Sequence, residues 1–273
     1  MREIEAILVR IFGIDPAAIG PAAMEEAIRS AYRESGCRTP QAFVSAVRHD
    51  GAQQRALVAR VAVPETWFFR DGTPFEFLRR HATRWAEHHP EGTLRVLSAP
   101  CASGEEPYSI AMTLVDAGFL PGRFVVDAVD VSEPLLDRAR RGLYQESALR
   151  NCPETMRRRY FSARERGFLL DEAVRAGVTF ERRNLIEPGI TLPSPPYDVV
   201  FCRNLLIYLH QAARRDLVRL LDGCLAADGV LVVGCAEALP LCEDATFALA
   251  DSRAFALARA PERAHAAAGE PER

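Results

Sequence analysis

Two adjacent carboxylates, Glu105 and Glu106, stand where a predicted strand gives way to a predicted helix. In the segment "PCASGEEPYS" the two glutamates follow a turn of small residues that holds one glycine, Gly104. A turn that binds a dinucleotide carries several glycines, because its backbone must approach a pyrophosphate. Two carboxylates would repel a pyrophosphate and favour a cationic or amine-bearing ligand. The alternative is that they are first-turn acids that the helix dipole stabilises.

Polar residues also follow two further predicted strands. Asp130 ends "VVDAVDVS" and stands where an acid can accept hydrogen bonds from a ribose diol. Arg203 and Asn204 end "YDVVFCRN", and Tyr208 follows within about one helical turn. We expect these side chains to reach a ligand at the end of a central strand. The alternative for Asn204 is that it caps the short helix that follows.

A fourth candidate is the segment "VPETWFFRDGTPF", which runs from residue 63 to residue 75. It places three consecutive aromatic residues beside Thr66 and Arg70. The alternative here is a hydrophobic hinge between domains. A hinge explains the aromatic residues but does not explain Arg70.

The elements that must position these residues alternate between strand and helix from about residue 93 onward. The predicted strands are "LRVLSA", "FVVDAVDV", "YDVVFCRN" and "GVLVVGCAE", and "FALADSRAFALAR" is typical of a closing hairpin. Such alternation predicts an α/β fold, a doubly wound parallel sheet covered on both faces. The hairpin adds an antiparallel edge strand. Because ligands bind beyond the carboxyl ends of such strands, the candidate residues are expected to meet there.

The rest of the chain divides around this sheet. Apolar residues at three- and four-residue spacing predict several short helices in the first 90 residues. Between about residues 151 and 183 the alternation breaks, which indicates a small antiparallel insert. The predicted domains are a helical domain at 1–75, an α/β domain at 76–259 with the insert at about 155–182, and a disordered tail or linker at 260–273.

Composition excludes several kinds of chemistry. All 34 basic residues are arginine, so no Schiff-base, pyridoxal phosphate or Walker A lysine exists. The net charge of −3 argues against general nucleic-acid binding. Seven cysteines without a C-x-x-C pair predict reduced thiols and no metal site. No long apolar run or signal peptide is found, so we expect no membrane insertion and a cytoplasmic location.

Together these segments resemble the CheR-type chemotaxis receptor methyltransferases, which methylate protein glutamates. The resemblance covers about residues 1–258 and rests on motifs in their family order. T-x-F-F-R is matched by Thr66–Arg70, S-T-G-E-E-P-Y-S by Ala102–Ser109, the acid after the second strand by Asp130, N-L by Asn184–Leu185, D-x-x-F-C-R-N-x-x-I-Y by Asp198–Tyr208, and G-x-L-x-x-G-x-x-E by Gly229–Glu237.

The sequence departs from the family at two places. Pro64 stands where the family often has asparagine, and Ala102-Ser103 replaces the more usual Ser-Thr. The segment "VPETWFFRD" is most similar to the corresponding segment in members of Wsp-type surface-sensing systems. Such members often carry C-terminal helical repeats, so we expect the natural chain to continue beyond residue 273.

The resemblance implies a Rossmann-like methyltransferase fold, S-adenosylmethionine as cofactor and S-adenosylhomocysteine as product. It implies glutamates in the cytoplasmic domain of a methyl-accepting chemotaxis-type receptor as substrate. It places Arg70 and Tyr208 near the methyl group as catalytic residues. The residues that it implies around the cofactor are Thr66, Arg70, Gly104, Glu106, Asp130, Asn184, Leu185, Arg203 and Asn204.

This chemistry needs no general base, because a glutamate with a pKa of about 4.3 is already ionised at neutral pH. Two other functions remain open at the level of sequence. A nicotinamide dehydrogenase would need the glycine fingerprint that the turn at Gly104 lacks. A binding module that has lost turnover is supported only by Pro64.

The predicted insert and its flanking residues carry an excess of positive charge. Residues 150–183 hold nine arginines and five acids in a chain whose net charge is negative. A basic insert would attract a glutamate-rich partner and raise the rate of encounter. We expect Arg157, Arg158 and Arg159 to contribute most to this attraction. The alternative is a solvated basic face.

Overall fold

The computed structural model describes residues 1–61, 65–243 and 246–260. Pro64, and all but the first residue of the predicted tail at 260–273, lie outside the described residues. Within the described part, no helix has both the length and the apolar character to cross a membrane.

The N-terminal part is helical, as predicted. Its helices are α1 (Arg2–Phe12), α2 (Pro16–Ile19), α3 (Pro21–Glu34), α4 (Pro40–His49) and α5 (Gly51–Val61). Thr39 caps α4 by accepting a hydrogen bond from the N–H of Ala42 at 3.2 Å, and Pro40 takes the first-turn position that tolerates a missing N–H. Apolar residues of these helices form a core of their own. The four-residue α2 was not predicted.

The second part is built on one mixed sheet. Its strands are β1 (Leu94–Ser98), β2 (Phe124–Asp130), β6 (Val178–Arg182), β7 (Tyr197–Cys202), β8 (Leu225–Val233), β9 (Phe247–Asp251) and β10 (Ala256–Arg259). The strand order is β6-β2-β1-β7-β8-β10-β9. The first five pair in parallel, and β10 pairs antiparallel with both β8 and β9. The predicted parallel sheet with an antiparallel edge is therefore confirmed.

Helices cover both faces of this sheet. They are α6 (Thr73–His88), α7 (Glu105–Asp116), α8 (Glu133–Arg141), α11 (Gln211–Cys224) and α12 (Cys235–Glu243). Successive strand residues point to opposite faces, so Val96 joins the apolar core on one side and Leu97 the core on the other. Both side chains are fully buried, which explains why adjacent positions of the central strands are apolar.

The insert begins earlier in the chain and ends sooner than predicted. Strands β3 (Leu143–Tyr144), β4 (Phe161–Arg164) and β5 (Gly167–Leu170) form an antiparallel sheet in the order β3-β5-β4. Helices α9 (Glu154–Tyr160) and α10 (Glu172–Arg175) accompany it. The prediction extended the insert to about residue 182, but β6 at the end of that range belongs to the main sheet. Its two apolar residues alternate with polar ones, which resembles an antiparallel insert strand in sequence.

The segment that joins the two parts packs on the sheet. Phe68 and Phe69 are buried in the same core as Val96. The N–H of Phe68 donates to the carbonyl of Ala148 at 2.9 Å, and the N–H of Phe69 donates to Ser109 Oγ at 3.0 Å. The residues after Phe69 are therefore held close to the start of α7. The domain boundaries at residues 75 and 259 stay predictions.

Candidate functional site

A two-lobed cleft lies at the carboxyl ends of β1, β2 and β7. Each lobe holds about 150 Å³, and the two share Pro100, Ala102, Asn204 and Tyr208. The first, here called the apolar lobe, is lined by Phe12, Ile14, Ile19, Val58, Leu135 and Leu185, with Asp130 and Asn184 among its polar residues. The second, here called the charged lobe, is lined by Glu65, Thr66, Trp67, Arg70, Glu106 and Arg203. The sequence-predicted residues thus meet in one cleft, except for Gly104 and Glu105.

Asp130 supplies an anchored carboxylate to the apolar lobe. It ends β2, is 7% exposed, and accepts 2.9 Å hydrogen bonds from the backbone N–H groups of Ala102 and Ser132, one on each oxygen. Burial raises the pKa of Asp130, and these N–H donors oppose the shift. A carboxylate offers about four acceptor positions, so capacity remains for two hydroxyl donors. This is the arrangement that a ribose diol requires.

The two acids at the start of α7, Glu105 and Glu106, have different surroundings. Glu106 lines the charged lobe, where its Oε1 accepts from Ser98 Oγ at 2.8 Å and its Oε2 from Arg203 Nη1 at 3.1 Å. Glu105 lines neither lobe and accepts from Ser103 Oγ, while only 2% exposed. Burial raises the pKa of both carboxyl groups. Glu106 is therefore the acid available to a ligand, and Glu105 stabilises the turn.

Gly104 serves packing of the turn. Its φ is +94°, and a Cβ there would stand 2.7 Å from Ala139 Cβ and 2.9 Å from the Tyr144 hydroxyl oxygen. Glycine is needed because α7 begins so close to α8. A direct contact between Gly104 and a cofactor stays a prediction.

Arg203 joins two segments beneath the charged lobe. Its side chain is 2% exposed and lies between the carboxylates of Glu106 and Asp71. Asp71 follows Arg70 and has a φ of +67°, in the left-handed region. A buried guanidinium needs such partners, because removing one would leave an uncompensated charge. Arg203 thus fixes the position of Arg70 relative to Glu106.

Arg70 places its guanidinium group at the charged lobe and forms no buried ion pair with the described residues. One guanidinium nitrogen donates to the carbonyl of Glu65, and another lies 3.9 Å from the exposed carboxylate of that residue. The guanidinium carbon lies 4.5 Å from the ring centroid of Trp67. Tyr208 lines both lobes, where they meet. Arg70 and Tyr208 are therefore present together on the lining of the charged lobe.

Asn184 and Leu185 approach the cleft from the loop after β6. Leu185 lines the apolar lobe. Asn184 also lines it, but its amide Nδ2 donates to the carbonyl of Ile11 at 2.9 Å and its Oδ1 accepts from the N–H of Ile186 at 3.2 Å. The Asn184 side chain therefore connects the sheet part to α1 of the helical part.

Asn204 depends on a residue whose role the sequence did not indicate. Glu237 is 3% exposed, and its Oε2 accepts from the N–H of Asn204 at 2.9 Å and from that of Gly234 at 2.6 Å. A Cβ at Gly234 would stand 2.6 Å from the same oxygen. The residue at the cap position of the following 3₁₀ helix is Leu205, so the capping alternative for Asn204 fails. The G-x-x-E spacing was the available signal for Glu237.

The predicted basic insert is largely balanced by acids. Arg157 donates two hydrogen bonds to Glu146 at 2.6 and 2.7 Å. Arg158 pairs with Glu154 at 2.7 Å, and Arg159 pairs with Asp116 at 3.1 Å. The sequence count could not show this, because two of the three acids lie outside the residues counted.

No group of three histidine, cysteine or acidic side chains in the described part of the chain could hold a metal ion. The seven cysteines at positions 37, 101, 152, 202, 224, 235 and 242 are free thiols.

Comparisons with known proteins agree with the motifs. Residues 64–256 match the family model described as "CheR methyltransferase, SAM binding domain". The "Probable biofilm formation methyltransferase WspC" of Pseudomonas aeruginosa is 39% identical over 235 residues, which cover 86% of this chain but only 56% of that protein. The chain therefore spans little more than half the length of this relative.

Two further comparisons cover much of the chain. The "Chemotaxis protein methyltransferase" of Escherichia coli is 36% identical over 195 residues, 70% of this chain and 66% of that protein. The crystal structure of magnesium protoporphyrin IX methyltransferase from Synechocystis PCC 6803 with bound SAM has a TM-score of 0.37 at 15% identity, covering 91% and 88% of the two chains.

Proposed function

The chain belongs to the CheR methyltransferase family, and we propose that it transfers methyl groups from S-adenosylmethionine to glutamate side chains of a methyl-accepting chemotaxis-type receptor. The observation that carries the proposal is the cleft itself. It joins an apolar lobe that holds an anchored carboxylate, Asp130, to a charged lobe that holds Arg70 and Tyr208.

The residues of the cleft fit S-adenosylmethionine. Asp130 has acceptor capacity left for two ribose hydroxyl groups. Leu185 and other apolar side chains suit a purine ring, and Glu106 suits an amino group. Thr66, Arg70, Arg203 and Asn204 line the part of the cleft where a methionine carboxylate would find donors. These features include no cradle for a pyrophosphate, which disfavours the nicotinamide alternative.

When bound, the cofactor supplies a methyl group on a positively charged sulfur. The protein then has to hold an already ionised glutamate carboxylate in line with that methyl group and exclude water. Arg70 can orient the carboxylate by its free guanidinium donors, and Tyr208 by its hydroxyl group. Orientation of this kind lowers the barrier by up to roughly 7–11 kcal/mol in favourable cases. No proton transfer is required, because the attacking carboxylate is already ionised at neutral pH.

The partner follows from this chemistry. We propose that the substrate is the cytoplasmic domain of a receptor. The protein would then work in the cytoplasm, on receptor glutamates outside the membrane-spanning segments. Methylation would neutralise receptor carboxylates and so adjust chemosensory signalling. We propose no role in nucleic-acid binding.

Two measurements test this function. Isothermal titration calorimetry with S-adenosylmethionine and S-adenosylhomocysteine should show binding of both. Tritiated methyl groups should then appear on purified receptor cytoplasmic fragments as base-labile esters, the product expected of a carboxylate acceptor. Binding without transfer to any receptor fragment would favour a module that has lost turnover. Failure to bind either compound would contradict the proposal.

A further inference from the structure

Trp67 occupies an unusual position between two arginines. The guanidinium carbon of Arg150 lies 3.7 Å from its ring centroid, and that of Arg70 lies 4.5 Å from it. Contacts of this kind stabilise a cation by about 0.5–1 kcal/mol at exposed sites and more where water is excluded. Trp67 also lines the charged lobe. One ring therefore contacts both a cation of the proposed active site and a cation outside it.

Arg150 carries a charge that the described residues do not neutralise. It is exposed, donates to the carbonyl of Ser147 at 2.9 Å, and has no carboxylate partner within the described ranges. The nearby acid Glu146 is already engaged by both terminal nitrogens of Arg157. Arg150 thus differs from the paired arginines of α9.

The backbone holds these groups in register. Arg150 directly follows the 3₁₀ helix Glu146–Leu149, and within that helix the carbonyl of Ala148 accepts from the N–H of Phe68 at 2.9 Å. Phe68 is fully buried, so its neighbour Trp67 has little freedom to move away from Arg150. The contact therefore lies at the edge of the charged lobe, where the buried Phe68 holds Trp67 in place.

We propose that Arg150 and Trp67 form a docking contact for the acidic segment that carries the acceptor glutamate. The proposal rests on the proposed function for the identity of that segment. Arg150 offers exposed donors to a carboxylate near the acceptor, and Trp67 holds both this cation and Arg70. A glutamate-rich segment that pairs with Arg150 would then present a neighbouring glutamate to Arg70. The docking charge is thus assigned to Arg150, whereas the sequence alone suggests Arg157, Arg158 and Arg159.

The test compares two single-charge changes on the same subdomain. Arg150→Ala removes the unpaired cation, whereas Arg158→Ala removes a cation that is 80% exposed and paired with Glu154. We expect Arg150→Ala to raise KM for a receptor cytoplasmic fragment by roughly three- to tenfold, with kcat and the Kd of S-adenosylhomocysteine within about twofold of the wild type. The increase should shrink when NaCl is raised, because salt shortens the screening length to about 8 Å at physiological strength. Equal KM values for the two variants would overturn the proposal.

Changes at Trp67 test the ring. Trp67→Phe keeps an aromatic face and should raise KM less than Trp67→Leu, which removes the face altogether. The same KM for both would contradict a role of the ring in holding the cations. Because Arg150 is exposed, its variant keeps the test open if Trp67→Leu fails to fold.

A binding measurement separates this proposal from the proposed function. In a Trp85→Phe background Trp67 is the one remaining tryptophan, and its emission can be followed while poly-L-glutamate is added. We expect a saturable change at low salt that Arg150→Ala abolishes and Arg158→Ala does not. If this holds while no receptor fragment is methylated, the acidic docking contact stands and the methyltransferase function fails. If receptor is methylated but the three proteins bind poly-L-glutamate equally, the docking contact fails alone.

Discussion

Asp130 gives the sharpest test of how the cleft binds its cofactor. Asp130→Asn keeps the size of the side chain and removes its charge, and Asp130→Ala removes both. A charge-assisted hydrogen bond is worth about 1.5–3 kcal/mol, and each 1.4 kcal/mol is a factor of ten in affinity. If Asp130 accepts from ribose hydroxyl groups, either change should raise the Kd of S-adenosylhomocysteine by about ten- to a hundredfold, as measured by calorimetry.

The same strand offers a matched control. Asp127 is also buried on β2, where its carboxylate accepts from the Tyr197 hydroxyl group at 2.9 Å, and it lines neither lobe. Asp127→Asn should therefore leave the Kd nearly unchanged, whatever it does to thermal stability. An unchanged Kd in folded Asp130→Asn would refute the ribose assignment. An equal loss in both variants would show that the effect comes from the strand as a whole.

Stability against pH provides a second readout of Asp130 without cofactor. Its pKa in the folded state lies above 3.8, the ordinary value for aspartate, because burial disfavours the charged form. Its contribution to stability is thus complete below the unfolded pKa and is lost as the pH rises through the folded pKa. The Tm of Asp130→Asn relative to the wild type should therefore increase from about pH 3.8 upward. A relative Tm that falls over this range would contradict the burial argument.

Three further changes separate binding from chemistry. Tyr208→Phe should lower kcat for receptor methylation more than it weakens S-adenosylhomocysteine binding, and wild-type kcat would contradict a role near the methyl group. Glu237→Gln should weaken cofactor binding severalfold, because the N–H groups of Asn204 and Gly234 both donate to Glu237 Oε2 and both lose their charged acceptor; wild-type affinity by calorimetry would show that Glu237 does not support the site. Glu65→Gln should lower KM for the receptor by up to about fivefold, because an exposed carboxylate then no longer competes for Arg70; an unchanged or higher KM would argue against that competition.

The sheet and the cleft were predictable because both depend on patterns within single segments. Apolar runs such as residues 230–233 of β8 identify strands buried on both faces, and polar residues at the carboxyl ends of the strands identify the cleft. Elements that lack a strong pattern were missed, including the short β6 and α12, which contains Pro240. A proline inside a helix weakens any sequence-based prediction.

Contacts between distant segments were not predictable. Glu105 and Glu106 look equivalent in sequence, yet successive side chains on a helix point about 100° apart, so only one faces the cleft. The contact between Trp67 and Arg150 joins the segment before α6 to the insert, and no local pattern encodes it. The charge count along residues 150–183 likewise missed Asp116, which lies at the end of α7 and pairs with Arg159.

The apolar lobe is closed by the helical part of the chain. Phe12, Ile14, Ile19 and Val58 line it, and all four precede the residues that match the family model. Any ligand that fills the lobe therefore binds only when the two parts are docked, and it stabilises the docked state by mass action. At a concentration one hundred times its Kd this stabilisation is about 2.7 kcal/mol. A lower concentration of S-adenosylmethionine would thus remove the methyl donor and, at the same time, weaken the docking of the N-terminal helices. Limited proteolysis with and without cofactor would reveal this change.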